Sequence, residues 1–312
     1  MQITLKTLTP LWTGGVDQTC DRLHETGLIG SLRWWYEALV RGLGGYACDP
    51  TSDGRCPDEN GRRCAACELF GCTGWARKFR LRVLNEHGQV LEDALAANTT
   101  FRLEFLELRQ MSDEERWLLT KVIELATKYG ALGGKTTLKP QRDQRKGADN
   151  GIVKVIFIPD LTKPDDIARF LAQSRRVTPE GAADLRWFFF VKGAFLWRKQ
   201  MNALMRPSDD GQKVSGNEPY QQFLRGRRGD ATHDAIRDRP LADLSGEESG
   251  RRGDATHDAI SKKLFSFRTD GGRIWGYARD ARMRDTIVQE IRITLGDGDY
   301  TIKTGEEVLH EL

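Results

Sequence analysis

No stretch of this 312-residue chain approaches the eighteen or so consecutive apolar residues that a membrane-spanning helix needs. The opening MQITLKTLTP lacks the basic and then apolar pattern of a secretory signal, so the expectation is a cytoplasmic protein with no membrane partner. Charge of a single sign is missing too. The 48 Lys and Arg against 45 Asp and Glu leave a formal net charge of +3, so no global basic field announces a nucleic-acid binder and any basic surface must be local. Cysteine is scarce outside one place: five of the six fall between Cys48 and Cys72, and none follows.

The length fits two compact domains, with boundaries expected at 1–160 and 161–312. In QITLKTL, Ile3 and Leu5 share one face, the period of a half-buried strand. GSLRWWYEALVRGLGG then spaces Leu32, Trp35, Leu39 and Leu43 at helical intervals and stops at paired glycines. Strands are predicted around Phe79, Leu81 and Val83, and around Phe101, Leu103 and Phe105, where the alternation slips by one at Leu106 and Leu108. Ser112 followed by Glu115 opens a second helix with a capping-box pattern and a stripe through Leu118, Val122 and Leu125. A strand centred on Val153, Val155 and Phe157 completes βαββαβ over residues 2–158. That order is the ferredoxin-like arrangement also used by RNA-recognition (RRM) domains, an α+β fold class.

The second half suggests a helix in DDIARFLAQSRR, an apolar core segment of undecided type in DLRWFFFVKGAFLWRKQM and a late helix in DARMRDTIVQEIRITLG. A more degenerate α/β unit is expected there, interrupted by a long polar loop over 206–260. Within that loop GRRGDATHDAI occurs at 226–236 and again at 250–260, an unvarying copy that reads as a local duplication and not as a solenoid. His233 and His257 in the copies read as loop residues.

The cysteine-rich insertion, 46–75, admits several chemistries. A disulfide framework needs an oxidising compartment. A thioredoxin-type motif would rest on Cys64-Ala-Ala-Cys67 alone, without the crowd of other thiols. Zinc accounts for more of the pattern: Cys64 and Cys67 form a CxxC knuckle, and Cys48 and Cys56, set among Pro, Asp and Gly, supply two further thiolates. Cys72 competes for the fourth place, and reduced thiols with no metal are the remaining alternative. A closed four-thiolate site leaves no open position for water, so zinc there is expected to staple a polar loop and not to catalyse.

Three segments, LKTLTPLWTGG at 5–15, TGLIGSLRWWYEALVRGLGG at 26–45 and CAACELFG at 64–71, together resemble the RAMP-type subunits of type III CRISPR effectors. The likeness is greatest to the family of subunit one of the Cmr (type III-B) complex. The resemblance implies two ferredoxin-like units and a role in antiviral defence, assembled with other RAMP subunits on a guide RNA near its 3′ end, where guide and target are held. It also implies a glycine-rich loop after the second helix, here Tyr129 to Lys146. In it Gly133 and Gly134 would let backbone approach a phosphate, with Lys135, Lys139 and Arg142 among its cations. Arg33, Trp34 and Arg41 are expected on an RNA-facing edge, with Trp35 in the core. The loop carrying Asp17, Asp21, His24 and Glu25 could perform RNA cleavage as a RAMP-type endoribonuclease, but the leading expectation is a non-catalytic subunit.

Overall fold

The computed structural model describes residues 1–14, 20, 22–49, 55–134, 149–172, 178, 181–205, 218–225 and 263–312. Asp17, Asp21, Lys135, Lys139, Arg142 and both copies of the duplicated segment lie outside them.

The first unit runs β1 (Gln2–Thr7), α1 (Glu25–Gly42), α2 (Ala65–Phe70), β2 (Phe79–Leu84), β3 (Thr100–Glu107), α3 (Asp113–Lys128) and β4 (Val153–Phe157). Its sheet has the order β2-β3-β1-β4, with every neighbouring pair antiparallel. This is the expected βαββαβ topology with one added helix, α2, inside the cysteine segment. The Ser112 side chain accepts from the Glu115 N–H while the Glu115 carboxylate takes the Ser112 N–H, so α3 begins with both donors satisfied. The slip in alternation at Leu106 and Leu108 marks the strand's end: both are exposed and β3 stops at Glu107.

After a short helix, α4 (Ile167–Leu171), a 3-10 turn at Leu185–Trp187 leads into β5 (Phe188–Lys192). There follow α5 (Arg198–Met205), α6 (Pro219–Arg225), β6 (Leu264–Phe267), β7 (Arg273–Tyr277), α7 (Ala281–Leu295), β8 (Thr301–Thr304) and α8 (Gly305–His310). The undecided apolar segment is therefore turn, strand and helix in succession. The second sheet has the order β6-β7-β5-β8, also antiparallel. Position for position this is the strand order of the first sheet, so the unit expected to be degenerate keeps the full ferredoxin-like topology. What hid it is the shortness of its strands, four or five residues each.

The two units stack as sheet, helices, sheet, helices. Ile3, Leu5, Phe79, Phe101 and Phe105 of the first sheet pack with Leu32, Tyr36, Leu118 and Val122 of α1 and α3. The same core continues into one face of the second sheet through Phe188, Phe190, Phe265, Phe267, Trp275 and Tyr277. The opposite face, with Phe189, Val191 and Ile274, closes a second core against α5, α6 and α7 through Met201, Leu224 and Ile287. Alternation along β5 thus sends successive phenylalanines into different cores.

The seam between the layers is aromatic. Trp35 lies 5.1 Å from Trp275 and 5.7 Å from Phe188 between ring centroids, and its indole N–H donates to the Ala131 carbonyl. Trp34 lies 5.8–5.9 Å from Phe188, Trp275 and Tyr277. Both tryptophans of the pair therefore pack in this seam, Trp35 buried and Trp34, expected on an RNA-facing edge, half-buried. Polar clamps reinforce it: the buried Arg273 of β7 donates to the Thr127 and Gly130 carbonyls at the end of α3, a favourable place for a cation. Asp149 accepts from the Arg268 and Thr269 N–H groups across the same boundary.

Replacing Trp35 with Ala is expected to cost about 3–5 kcal/mol of unfolding free energy through cavity formation. A Cβ at Gly130 would stand 2.2 Å from the Trp35 ring, so Gly130→Ala is expected to cost ~1–3 kcal/mol by overpacking. Denaturant titration of the two variants checks both; wild-type midpoints would disprove the seam's importance.

Candidate metal centre and glycine loop

The cysteine centre is assembled by α1 and by two turns that need little apolar burial. Arg41, in the last turn of α1, is buried, and its guanidinium donates to the Ala47, Cys48 and Ala183 carbonyls at 2.9–3.0 Å. It thereby pins the chain that presents Cys48. Asp58 accepts from the N–H groups of Asn60 and Arg62, tightening the turn between Cys56 and Cys64. Cys64 is the N-cap of α2, its sulfur accepting from the Cys67 N–H at 3.4 Å. Helix α2 is anchored by Phe70, 5.3 Å from Tyr36 and 5.5 Å from Phe79. It ends at Gly71, whose φ of +87° and backbone neighbours at 2.8–2.9 Å leave no room for a side chain.

Cys48, Cys56, Cys64 and Cys67 converge: their sulfurs lie within 4.8 Å of one another and all four residues are buried. The Cys48 and Cys67 sulfurs are 3.5 Å apart. A tetrahedral zinc with bonds of about 2.3 Å needs sulfurs about 3.8 Å apart, so the donor set matches such an ion in chemistry and size. Backbone N–H groups also point at the sulfurs, Cys48 N–H to Cys64 and Cys64 N–H to Cys56, at 3.5 and 3.3 Å. All six cysteines are free of disulfides. Cys72 is half-buried outside the cluster, its backbone paired with Trp75. Trp75 in turn is sandwiched between the guanidinium groups of Arg63 and Arg109, at 3.6 and 3.9 Å from its ring.

The four thiols titrate as one group. Hydrogen bonds from Cys48, then Cys56 and Cys67, hold the Cys64 thiol well below the ordinary cysteine value. The bond to Cys48 takes Cys56 down to about 7. Cys48 and Cys67 are pushed up, first by their bonds to Cys56 and to Cys48 respectively, with burial adding to the rise. A divalent ion bound there would supply positive charge to the cluster.

Arg33, expected to face RNA, faces this centre instead. Its Nη2 donates to the Cys67 sulfur at 3.1 Å, Nη1 to the Gly71 carbonyl and Nε to Glu37, each at 2.8 Å. Burial alone would lower the Arg33 pKa, but the hydrogen bond and charge of Glu37 and the neighbouring thiolates raise it overall. Burial lifts the Glu37 carboxyl, partly offset by Arg33. Arg33, Glu37 and Arg41 recur every four residues and form one charged stripe along α1. That spacing is readable in the sequence, though not what the stripe would meet. Both guanidinium groups, placed by expectation on an RNA-facing edge with Trp34, make these contacts inside the chain.

The glycine loop also differs from expectation. Gly133 donates its N–H to Ser31 Oγ at 3.1 Å, and Gly134 donates to the Trp12 carbonyl at 2.7 Å. Neither amide therefore points freely at a phosphate. Gly133 has φ +82°, and a Cβ there would stand 2.6 Å from the Trp12 carbonyl oxygen. Side chains at Gly14 or Gly134 would strike the Trp12 ring, at 1.9 and 2.7 Å. The glycines let the Trp12 indole lie between two loops, and so anchor the start of the segment carrying Lys135, Lys139 and Arg142. Of the candidate catalytic loop, His24 is the N-cap of α1, its N–H donating to Thr13 Oγ1 at 2.9 Å, and Glu25 begins the helix.

A model of the RAMP superfamily matches residues 4–138, a span from β1 through the anchored glycine pair. No curated protein matches the chain at a significant level. Among solved structures, a chain of the type III-B Cmr-beta complex bound to cognate target RNA and AMPPnP, in the presence of ssDNA, is similar at 11% identity and a TM-score of 0.46. Another, from Cmr-beta bound to cognate target RNA, is similar at 12% identity and 0.44. Each alignment covers 95% of this chain and 99% of the other. Among the described residues no helix is long and apolar enough to cross a membrane.

Metal analysis of protein purified without added chelator is expected to give one zinc per chain, released on acidification as the thiolates protonate. Cys48→Ser and Cys64→Ser should abolish retention and Cys72→Ser should not. Arg33→Met should weaken it by about tenfold, as removal of an orienting partner commonly does; equal retention in Cys48→Ser and wild type would disprove the site.

Proposed function

We propose that this chain is a non-catalytic RNA-binding subunit of a type III-B RNA-guided interference complex. It would contact guide and target RNA near the guide's 3′ end and help assemble the other RAMP subunits. The observation that carries the reading is the RAMP superfamily match over residues 4–138, which takes in the first ferredoxin-like unit's β1 to α3 and the loop that follows. Support also comes from the fold, two stacked units of one topology. Zinc, held by Cys48, Cys56, Cys64 and Cys67, would supply structure alone, because four thiolates complete its shell.

Lys135, Lys139 and Arg142 follow the anchored glycine pair and are the cations on which phosphate binding is proposed, sequence choice being left to guide pairing. Binding of a fluorescent single-stranded RNA should then weaken as salt rises and be largely independent of sequence. Reversing the three charges to Glu should lower affinity and reduce the salt slope by about 0.7 for each phosphate no longer neutralised. Salt-insensitive binding, or none, would count against the proposal. Incubation with RNA and a divalent ion should leave the RNA intact. Discrete products that disappear on replacing Asp17 or His24 would make the chain a ribonuclease instead.

A further inference from the structure

The two stacked units treat their corresponding sheet faces in opposite ways. In the second unit the face away from its own helices carries Phe188, Phe190, Phe265, Phe267, Trp275 and Tyr277, and α1 and α3 of the first unit cover it. In the first unit the corresponding face forms the end of the stack, and no described element packs over its centre. There the residues alternating with the core are Lys6 on β1, Lys154 on β4, Arg102 on β3, and Arg80 and Arg82 on β2, all exposed or half-exposed. Arrangement on the sheet follows from the register. Lys6 is paired with Lys154; Arg102 stands opposite Thr4, one outward position further along; Arg82 stands opposite Glu104, and Arg80 opposite Leu106.

The cations therefore descend as a diagonal across all four strands, in steps of about 5–8 Å set by strand spacing and the two-residue repeat. Among the described residues of this face the one opposing charge is Glu104, taken up by Arg82 at 3.4 Å and Gln2 at 2.8 Å. Among the described residues, Lys6, Arg102 and Lys154 have no acidic partner. Five cations on one patch repel one another unless an anion is present.

One further detail separates this patch from a merely solvated face. The pairing of β1 with β4 shifts between Thr4 and Leu5, so that Leu5 faces Val155 but Thr4 faces Phe157. The extra residue, Ile156, is accommodated as a bulge, and Phe157 is brought round to the outward face beside Thr4. Simple alternation from Val153 and Val155 would have sent it into the core. Phe157 is 57% and Ile156 53% exposed, so an aromatic ring stands in water next to the Lys6–Lys154 pair and across Thr4 from Arg102.

We infer that this face is a binding track for single-stranded RNA, in which Lys6, Lys154, Arg102 and the β2 arginines contact successive phosphates while Phe157 stacks on a base. An acidic protein surface would satisfy the cations but offers no reason for an exposed ring among them, whereas every nucleobase has a face to stack on. The track is made of other residues than Lys135, Lys139 and Arg142, and the inference rests on the RNA-binding reading proposed above.

The test uses the full chain and a fluorescent 20-nucleotide oligouridine, with anisotropy read at several salt concentrations. Phe157→Ala should weaken binding about fivefold or more with the salt slope unchanged, as removing a stacking partner for one base does. Lys6→Gln with Lys154→Gln should weaken binding and lower the slope by about 0.7 per phosphate left without its cation. Photo-crosslinking followed by peptide mapping should mark the peptide containing Phe157. The substituted side chains are on the surface, so circular dichroism should be that of wild type. Unchanged affinity and slope in both variants, with binding still abolished on reversing Lys135, Lys139 and Arg142, would overturn this track and leave the RNA-binding reading standing. Failure of the wild-type chain to bind oligouridine would overturn both.

Discussion

The guanidinium of Arg41 is the point at which three parts of the molecule are tied together. A buried cation is tolerable only when its donors are satisfied, and here they reach Ala47 and Cys48 ahead of the metal centre and Ala183 ahead of the second sheet. The group sits near the end of α1 on the same stripe as Glu37 and as Arg33, which donates to Cys67, while the helix carries Trp34 and Trp35 into the aromatic seam. One helix therefore sets the spacing of the two units and the position of the cysteine cluster together. The insertion 46–75 is held both by apolar packing, through Tyr46, Leu69 and Phe70 in the main core, and by directional bonds from Arg33 and Arg41 of α1.

This division of labour explains why so much charge in the first unit faces inward. Arg33 and Arg41 of that unit, and Arg273 reaching it from the second sheet, each use their planar fork on carbonyls, a carboxylate or a sulfur. Cations available to an anion are found where the stack ends, on the outward face of the first sheet. The second sheet has no equivalent surface because its corresponding face is consumed by the seam.

The first unit is legible in the sequence because its signals are local: period-two strands, the α1 stripe ending at glycines, and the Ser112–Glu115 cap all stand where the pattern puts them. The second unit is not, since four-residue strands carry too little alternation to be distinguished from loops, and all residues of β5 but the last are buried. The cysteine set is also legible from spacing, and the packing groups Cys48, Cys56, Cys64 and Cys67 without Cys72. The internal contacts of Arg33, Trp34 and Arg41 are not legible, because these residues are ambiguous in one dimension. A helix buried on nearly every side gives no periodic clue to which polar residues are internal.

By itself the sequence determined the order of elements in the first unit and the four thiols able to share an ion. Those properties depend on neighbours a few residues apart. Tertiary structure alone decided that the second sheet repeats the topology of the first, that Arg33 serves the cysteines, and that Phe157 faces water. Each of these turns on long-range pairing: a one-residue shift in strand register, or the layer against which a face happens to stack, reverses the direction in which a side chain points.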